Sequence, residues 1–250
     1  MPGDPLMSAL TKAQQKQHGI ACERLEQDNL TFADREFVLE HWRADANHNV
    51  RQAGAFFTPL GLAEAFADEC NGAQTVIDLC AGIGALAYHR WRRDQPKRLV
   101  CVERNPAYVA VGKKVLPEAE WIQADVFALP DLGHFDLAVS NPPFGKLARN
   151  GNGPRYRGNA FEYHVIDIAS KLADQGVFLI PQPSATFQFS GERGWRPVKN
   201  ASYERFERET GITLSPGYGL DTNPWRSEWN GASPVVESVR ADFTCVEAKS

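Results

Sequence analysis

Thr75-Val76-Ile77-Asp78-Leu79-Cys80-Ala81-Gly82-Ile83-Gly84-Ala85-Leu86-Ala87 passes from a short apolar run through two glycines into a second apolar run. The first run has the length of a buried strand, and the residues after the glycines read as the start of a helix. Glycine permits the tight turn between them and lets a ligand approach the amides at the helix N-terminus.

The same unit recurs on the C-terminal side. Leu99 to Glu103 predicts a second strand, ending in an acid 21 positions beyond Gly82. A parallel neighbour would bring that carboxylate beside a ribose, where it can accept both hydroxyl hydrogens. Taken literally, Gly82, Gly84 and Ala87 also satisfy the G-x-G-x-x-G/A pattern of dinucleotide sites, so the glycines alone leave an NAD-binding oxidoreductase open. Trp121 and Ile122 predict a third strand leading to Asp125, Val126 and Phe127. There a carboxylate can take an adenine amino group, and the apolar pair its ring. Alone, Asp125 would read as a turn or capping aspartate.

Phe135 to Ser140 predicts a fourth strand, closed by Asn141-Pro142-Pro143-Phe144. The two prolines forbid continuation as a helix and leave side chain and carbonyls free at the strand end. An amide, a carbonyl without a ladder partner and a ring can accept amino hydrogens while stacking a flat group, which describes a nucleobase amino group. Gly176 to Pro181 reads as a fifth strand, and Val235 to Val246 as a terminal strand that closes the sheet antiparallel. Helical spacing over Pro106–Val115 and Phe161–Leu172 separates the strands, so the plan is α/β with a mostly parallel sheet and helices on both faces. Ligands of such sheets sit at the carboxyl ends of the strands, where Asp78, Glu103, Asp125 and Asn141 all fall.

The remaining stretches surround this unit. Residues 1–50 predict an N-terminal helical extension, with Thr31, Asp34 and Glu36 marking a helix start, and residues 51–250 the main domain. Thr58 as cap and Pro59 at the first helical position predict a helix over Leu60–Cys70, behind Phe56 and Phe57. Gly145 to Ala160 contains Lys146, Arg149, Arg155 and Arg157 with no acid before Glu162, which reads as a flexible basic loop suited to phosphates, or as a merely solvated one. Gln182 to Lys199 is loop-like and interleaves Trp195 with Arg193, Arg196 and Lys199, a pattern that can stack bases or cover a core edge. Asn200 to Gly211 predicts a short charged helix.

Composition bounds the partners. Of 250 residues 43% are hydrophobic and 23% charged, and the net charge of -4 requires any nucleic-acid contact to come from a local basic patch. Five scattered cysteines without Cys-x-x-Cys spacing, no basic-then-apolar start and no run of eighteen apolar residues lead us to expect a reduced cytoplasmic protein with no zinc site.

Across roughly residues 54–145 the ordered motifs resemble class I S-adenosylmethionine-dependent methyltransferases of the amino type, most closely the adenine-N6 enzymes. That resemblance implies a Rossmann-like fold with a seven-stranded sheet and S-adenosylmethionine as cofactor. Phe57, Thr58 and Pro59 look like the motif that packs on the methionine part, and Asp78, Cys80, Ala81, Gly82 and Gly84 like the glycine loop. Glu103 is similar to the ribose-binding acid, and Asp125 with Val126 to the adenine-binding position. Asn141, Pro142, Pro143 and Phe144 look like the catalytic tetrapeptide. The tetrapeptide ending in Phe also occurs in ribosomal RNA enzymes acting on adenine N6 or guanine N2, and a Tyr form in enzymes methylating protein glutamine. The resemblance implies a nucleic-acid substrate, with DNA ahead of RNA because of the Phe-Thr-Pro motif. Lys146, Arg149, Arg155, Arg157 and Trp195 are the expected contacts to it.

Overall fold

The computed structural model describes residues 10–43, 56–229 and 233–246. The expected division at residue 50 and the start of the resemblance at residue 54 lie outside them. The N-terminal extension holds two helices, α1 (Lys12–Leu25) and α2 (Phe32–His41), packed on each other. Thr31 caps α2 as expected, in a reciprocal box with Asp34. α3 (Leu60–Ala67) begins one residue later than the sequence suggests and ends in a 3-10 turn over Asp68–Cys70. Pro59 is its N-cap, and the Thr58 hydroxyl is engaged elsewhere.

The main sheet follows. β1 (Thr75–Leu79), α4 (Ala85–Asp94), β2 (Arg98–Glu103), α5 (Pro106–Val115), β3 (Glu120–Gln123) and β4 (Phe135–Ser140) alternate as predicted. Then come α6 (Phe161–Ala169) and β5 (Ala173–Pro181), which starts three residues before the expected Gly176. The segment read as loop after β5 holds a 3-10 turn over Gln182–Ser184 and a hairpin of β6 (Phe187–Gln188) with β7 (Arg196–Pro197). α7 (Ala201–Thr210) and β8 (Val236–Asp242) complete the chain.

Strand order is β3-β2-β1-β4-β5-β8, with β8 antiparallel to β5 and the other pairs parallel. Among the described residues the sheet has six strands, which corrects the expectation of seven. Residues 211–229 carry turns and a 3-10 segment, and contribute a lone antiparallel bridge, Ser215 to Arg240, at the edge of β8. β1 is buried on both faces: Val76, Ile77 and Leu79 are fully excluded from solvent, one set packing against α3–α5 and the other against α6 and α7. Strand order reverses between β1 and β4, which opens a crevice at their carboxyl ends.

Candidate active site

The crevice is built by four strand ends, those of β1 to β4. After β1 the chain turns through Cys80 (φ 62), Gly82 (φ 59) and Gly84 (φ 95), the last capping α4. A Cβ on Gly82 would lie 3.2 Å from the Phe57 ring, so the turn needs glycine for space as well as for its left-handed backbone. After β2, Glu103 accepts hydrogen bonds from the Gly82 amide (2.9 Å) and the Asn105 amide (2.7 Å). Burial raises its pKa, and those amides offset the rise. After β3, Asp125 accepts from the Phe127 amide (3.1 Å) and from Asn150 Nδ2 (3.1 Å), with Arg104 3.9 Å away.

β4 delivers Asn141. Ser140 Oγ donates to the Leu79 carbonyl and ties this strand end to β1. Asn141 Nδ2 donates to the Phe56 carbonyl (3.2 Å) and to Thr58 Oγ1 (2.9 Å). A carbonyl can only accept, so the nitrogen must face Phe56 and the oxygen the other way. Asn141 Oδ1 is buried and has no hydrogen-bond partner.

A cavity of about 670 Å³ gathers Phe57, Gly82, Glu103, Asp125, Asn141 and Phe144, within the size range of small-molecule sites. Cys80, Val126, Pro142 and Pro143 line it too. An adjoining smaller space shares Phe57, Cys80, Gly82 and Asn141 and adds Thr58, Asp78 and Ala81. Gly84 and Pro59 line neither; they shape the backbone behind it. Asp78 is 1% exposed and neither carboxylate oxygen has a partner within hydrogen-bond geometry. Burial raises its pKa well above the ordinary range; the Ala87 amide, close by but not aligned for a hydrogen bond, lowers it somewhat, and Glu103 adds to the rise.

Sequence reasoning missed part of the wall. Trp42, Phe57 and Tyr108 form an aromatic cluster, with the Phe57 and Tyr108 centroids 5.1 Å apart edge to face and Trp42 5.9 Å from each. The extension thus reaches the cavity's backing. Asn105, the cap of α5, was legible from the Asn-Pro pair, whereas nothing in the sequence marks Asn150 as a partner of Asp125.

The basic loop is not the flexible element that its composition suggests. Three buried polar side chains of α6 fasten it. Glu162 accepts from the Gly145 amide (2.9 Å), and His164 Nδ1 from the Gly153 amide (2.9 Å). Asp167 accepts from the amides of Arg155 (2.6 Å) and Tyr156 (2.8 Å) and from Arg155 Nε (2.9 Å). Arg149 donates to Asn152 Oδ1 and the Gly158 carbonyl, and Arg157 to the carbonyls of Gly153, Pro154 and Tyr156. Of the expected phosphate contacts Arg155 is therefore turned inward, Arg149 and Arg157 are held to their own loop, and Lys146 stands exposed. Trp195 is 53% exposed in the connection of the β6–β7 hairpin and lines neither cavity.

Residues 60–153 match the family described as the methyltransferase small domain. That match lies on the β1–β4 half of the sheet, and the fold around it is the Rossmann-like fold of class I S-adenosylmethionine-dependent methyltransferases. A stretch of 79 residues is 40% identical to the release factor glutamine methyltransferase of Mycolicibacterium smegmatis, covering 28% of this chain and 27% of that protein. The match thus spans about a quarter of that relative's length. A putative class I S-adenosylmethionine-dependent methyltransferase from Listeria monocytogenes shares the fold at a TM-score of 0.56 and 11% identity, over 90% of this chain and 73% of the other. The 23S rRNA methyltransferase ErmE does so at a TM-score of 0.50 and 13% identity, over 78% and 70%. No helix among the described residues is long and apolar enough to cross a membrane.

The class cofactor is S-adenosylmethionine, and the residues fit it. The smaller space holds an unpartnered buried carboxylate, Asp78, suited to a cationic ligand. Beside it, Gly82 lines the same space with no side chain between its backbone and a ligand, in a left-handed conformation that favours glycine.

Proposed function

We propose that this protein transfers a methyl group to the N6 amino group of adenine in DNA. The observation that carries the reading is Asn141: its nitrogen is held by Phe56 and Thr58, and its oxygen is left buried and unpartnered at the cavity. An aromatic amino nitrogen has its lone pair delocalised into the ring. Asn141 Oδ1 and the Pro142 carbonyl accept its two hydrogens, which favours a pyramidal nitrogen with a free lone pair, and Phe144 stacks on the base. S-adenosylmethionine supplies the electrophilic methyl when bound. Glu103 holds its ribose hydroxyls, Asp125 and Val126 its adenine, Phe57 to Pro59 and the Asp78–Gly84 turn its methionine end. Positioning and charge placement then do the work, and the proton leaves to water after transfer. A base taken from duplex must first be flipped out, costing a few kcal/mol. Lys146 and Trp195 are the groups free to hold the opened strand.

A second acceptor is favoured by one observation, the match to a release factor glutamine methyltransferase. A glutamine carboxamide presents the same planar nitrogen with two hydrogens. Radiolabelled methyl transfer by the wild type and Asn141→Ala onto duplex DNA, single-stranded DNA, total RNA and a glutamine-bearing protein, followed by hydrolysis, tests the reading. N6-methyladenine from DNA, lost in Asn141→Ala with S-adenosylhomocysteine affinity retained, is expected. Near-wild-type transfer by Asn141→Ala overturns the mechanism, and label confined to RNA or protein overturns the choice of polymer.

A further inference from the structure

Glu162 lies in the first turn of α6, is 1% exposed and makes no ion pair among the described residues. Its two oxygens have different partners. Oε2 accepts from the Gly145 amide at 2.9 Å, and Oε1 accepts from Ser184 Oγ at 2.6 Å. Gly145 immediately follows Phe144 and has φ 79, so the backbone reverses at the point where the tetrapeptide ends. Ser184 lies in the turn that follows β5, the strand beside β4.

The neighbours of Glu162 grip the same two points. The Phe161 amide donates to the Gly145 carbonyl at 2.9 Å, and Tyr163 Oη donates to the Ser184 carbonyl at 2.6 Å. Three consecutive residues at the start of α6 thus hold both the peptide after Phe144 and the turn after β5. The helix N-terminus favours negative charge at this point.

We propose that Glu162 is a positioning residue for the acceptor: its carboxylate locks the Phe144–Gly145 peptide to the Ser184 turn, and so sets the ring against which the acceptor stacks. The inference rests on the reading of Asn141 to Phe144 as the acceptor site. Glu162 transfers no proton in this role. Its carboxylate acts as a two-ended acceptor, and a glutamine can do nearly the same. The Gln oxygen keeps the Gly145 amide, and its NH2 donates to Ser184 Oγ, because a hydroxyl can accept as well as donate.

The test compares Glu162→Gln and Glu162→Ala. Glu162→Gln is expected to stay within about threefold of wild type. Glu162→Ala is expected to lower kcat/KM for the acceptor by about 10- to 100-fold, leaving S-adenosylhomocysteine affinity within about twofold. Amide hydrogen exchange over residues 142–148 and 182–190 is expected to quicken in the Ala variant and not in the Gln variant. Unchanged acceptor kinetics in Glu162→Ala overturn the inference; so does an equal loss in both variants, which would mark a proton-transfer role, or a parallel loss of cofactor affinity. A wild type inactive on every amino or amide acceptor would sink the underlying reading instead. Exchange at the two segments then still decides Glu162, since unchanged protection in the Ala variant removes the lock.

Discussion

Thr58 Oγ1 accepts a hydrogen bond from Asn141 Nδ2 at 2.9 Å, so a hydroxyl just ahead of α3 determines which end of the Asn141 amide is left unpartnered. The Phe56 carbonyl, at 3.2 Å, is the second restraint. The orientation of the Asn141 amide is therefore a joint property of two segments brought together by the sheet.

Thr58→Val keeps the shape and removes the acceptor. A lost neutral hydrogen bond is worth about 1 kcal/mol, so methyl transfer should slow by roughly 5- to 10-fold as the amide gains a second orientation. Thr58→Ser should retain wild-type turnover. Single-turnover transfer, with calorimetric binding of S-adenosylhomocysteine as the control, distinguishes these outcomes. Equal rates for Val and Ser would show that Phe56 alone orients the amide.

Asp78 gives the ligand-free protein a pH signature. Its folded-state pKa lies above the unfolded value, chiefly through burial. The folded state therefore holds the proton more tightly, and stability falls as pH rises from the ordinary aspartate pKa of about 4 toward the folded value. Glu103, also raised by burial, adds in the same direction. Asp78→Asn should flatten this dependence, raise the melting temperature of the ligand-free protein at neutral pH and weaken cofactor binding by at least about tenfold. Melting curves across pH with and without S-adenosylhomocysteine check all three. A variant that loses stability at neutral pH would mean that Asp78 is ionised and satisfied in the fold.

The strands and helices of the central unit were legible because their signals are local. Phe135–Ser140 and Pro106–Val115 read at their observed bounds, one from an apolar run stopped by prolines, the other from its helical spacing. Thr58 was misread for the same reason. Thr-Pro is a good local start for a helix, while the partner that claims its hydroxyl lies 83 residues away. The 145–160 loop reads as flexible from its glycines, asparagines and arginines. The groups that hold it, Glu162, His164 and Asp167, are polar side chains of a helix, the kind ordinarily exposed, and all three are buried in the fold. The seventh strand came with the resemblance, and residues 211–235 have no alternating apolar run to supply it.

Lys146 and Arg155, both expected on phosphates, should now behave differently. Lys146 is exposed, and Lys146→Ala should weaken DNA binding uniformly across sequences and reduce the salt slope by about one. Arg155 is paired at 2.9 Å with Asp167, which is fully buried. Removing one partner of a buried pair costs about 3–5 kcal/mol, so Arg155→Ala should lower the melting temperature by on the order of 10 °C. Salt-dependent fluorescence anisotropy and calorimetry separate the two effects. An Arg155→Ala protein with unchanged melting and a reduced salt slope would restore it as a phosphate contact.

Gly112 sets a packing limit that propensity alone would contradict. It lies inside α5, where replacing Gly by Ala ordinarily gains about 1 kcal/mol. Here a Cβ would overlap the Trp121 ring. That ring cannot swing aside freely, because its Nε1 donates to the Leu116 carbonyl at 3.0 Å and its far edge already faces Gly84, where a Cβ would come within 3.1 Å. Overpacking costs about 1–3 kcal/mol and outweighs the propensity gain, so Gly112→Ala should lower the melting temperature by several degrees. The displaced ring should press on the Gly84 turn and weaken S-adenosylhomocysteine binding as well. Gly19→Ala, in α1 with nothing within 4 Å of its Cβ, serves as the control and should be neutral or stabilising. A Gly112→Ala protein as stable as wild type would show that Trp121 has another place to go and that the ring does not brace the glycine turn.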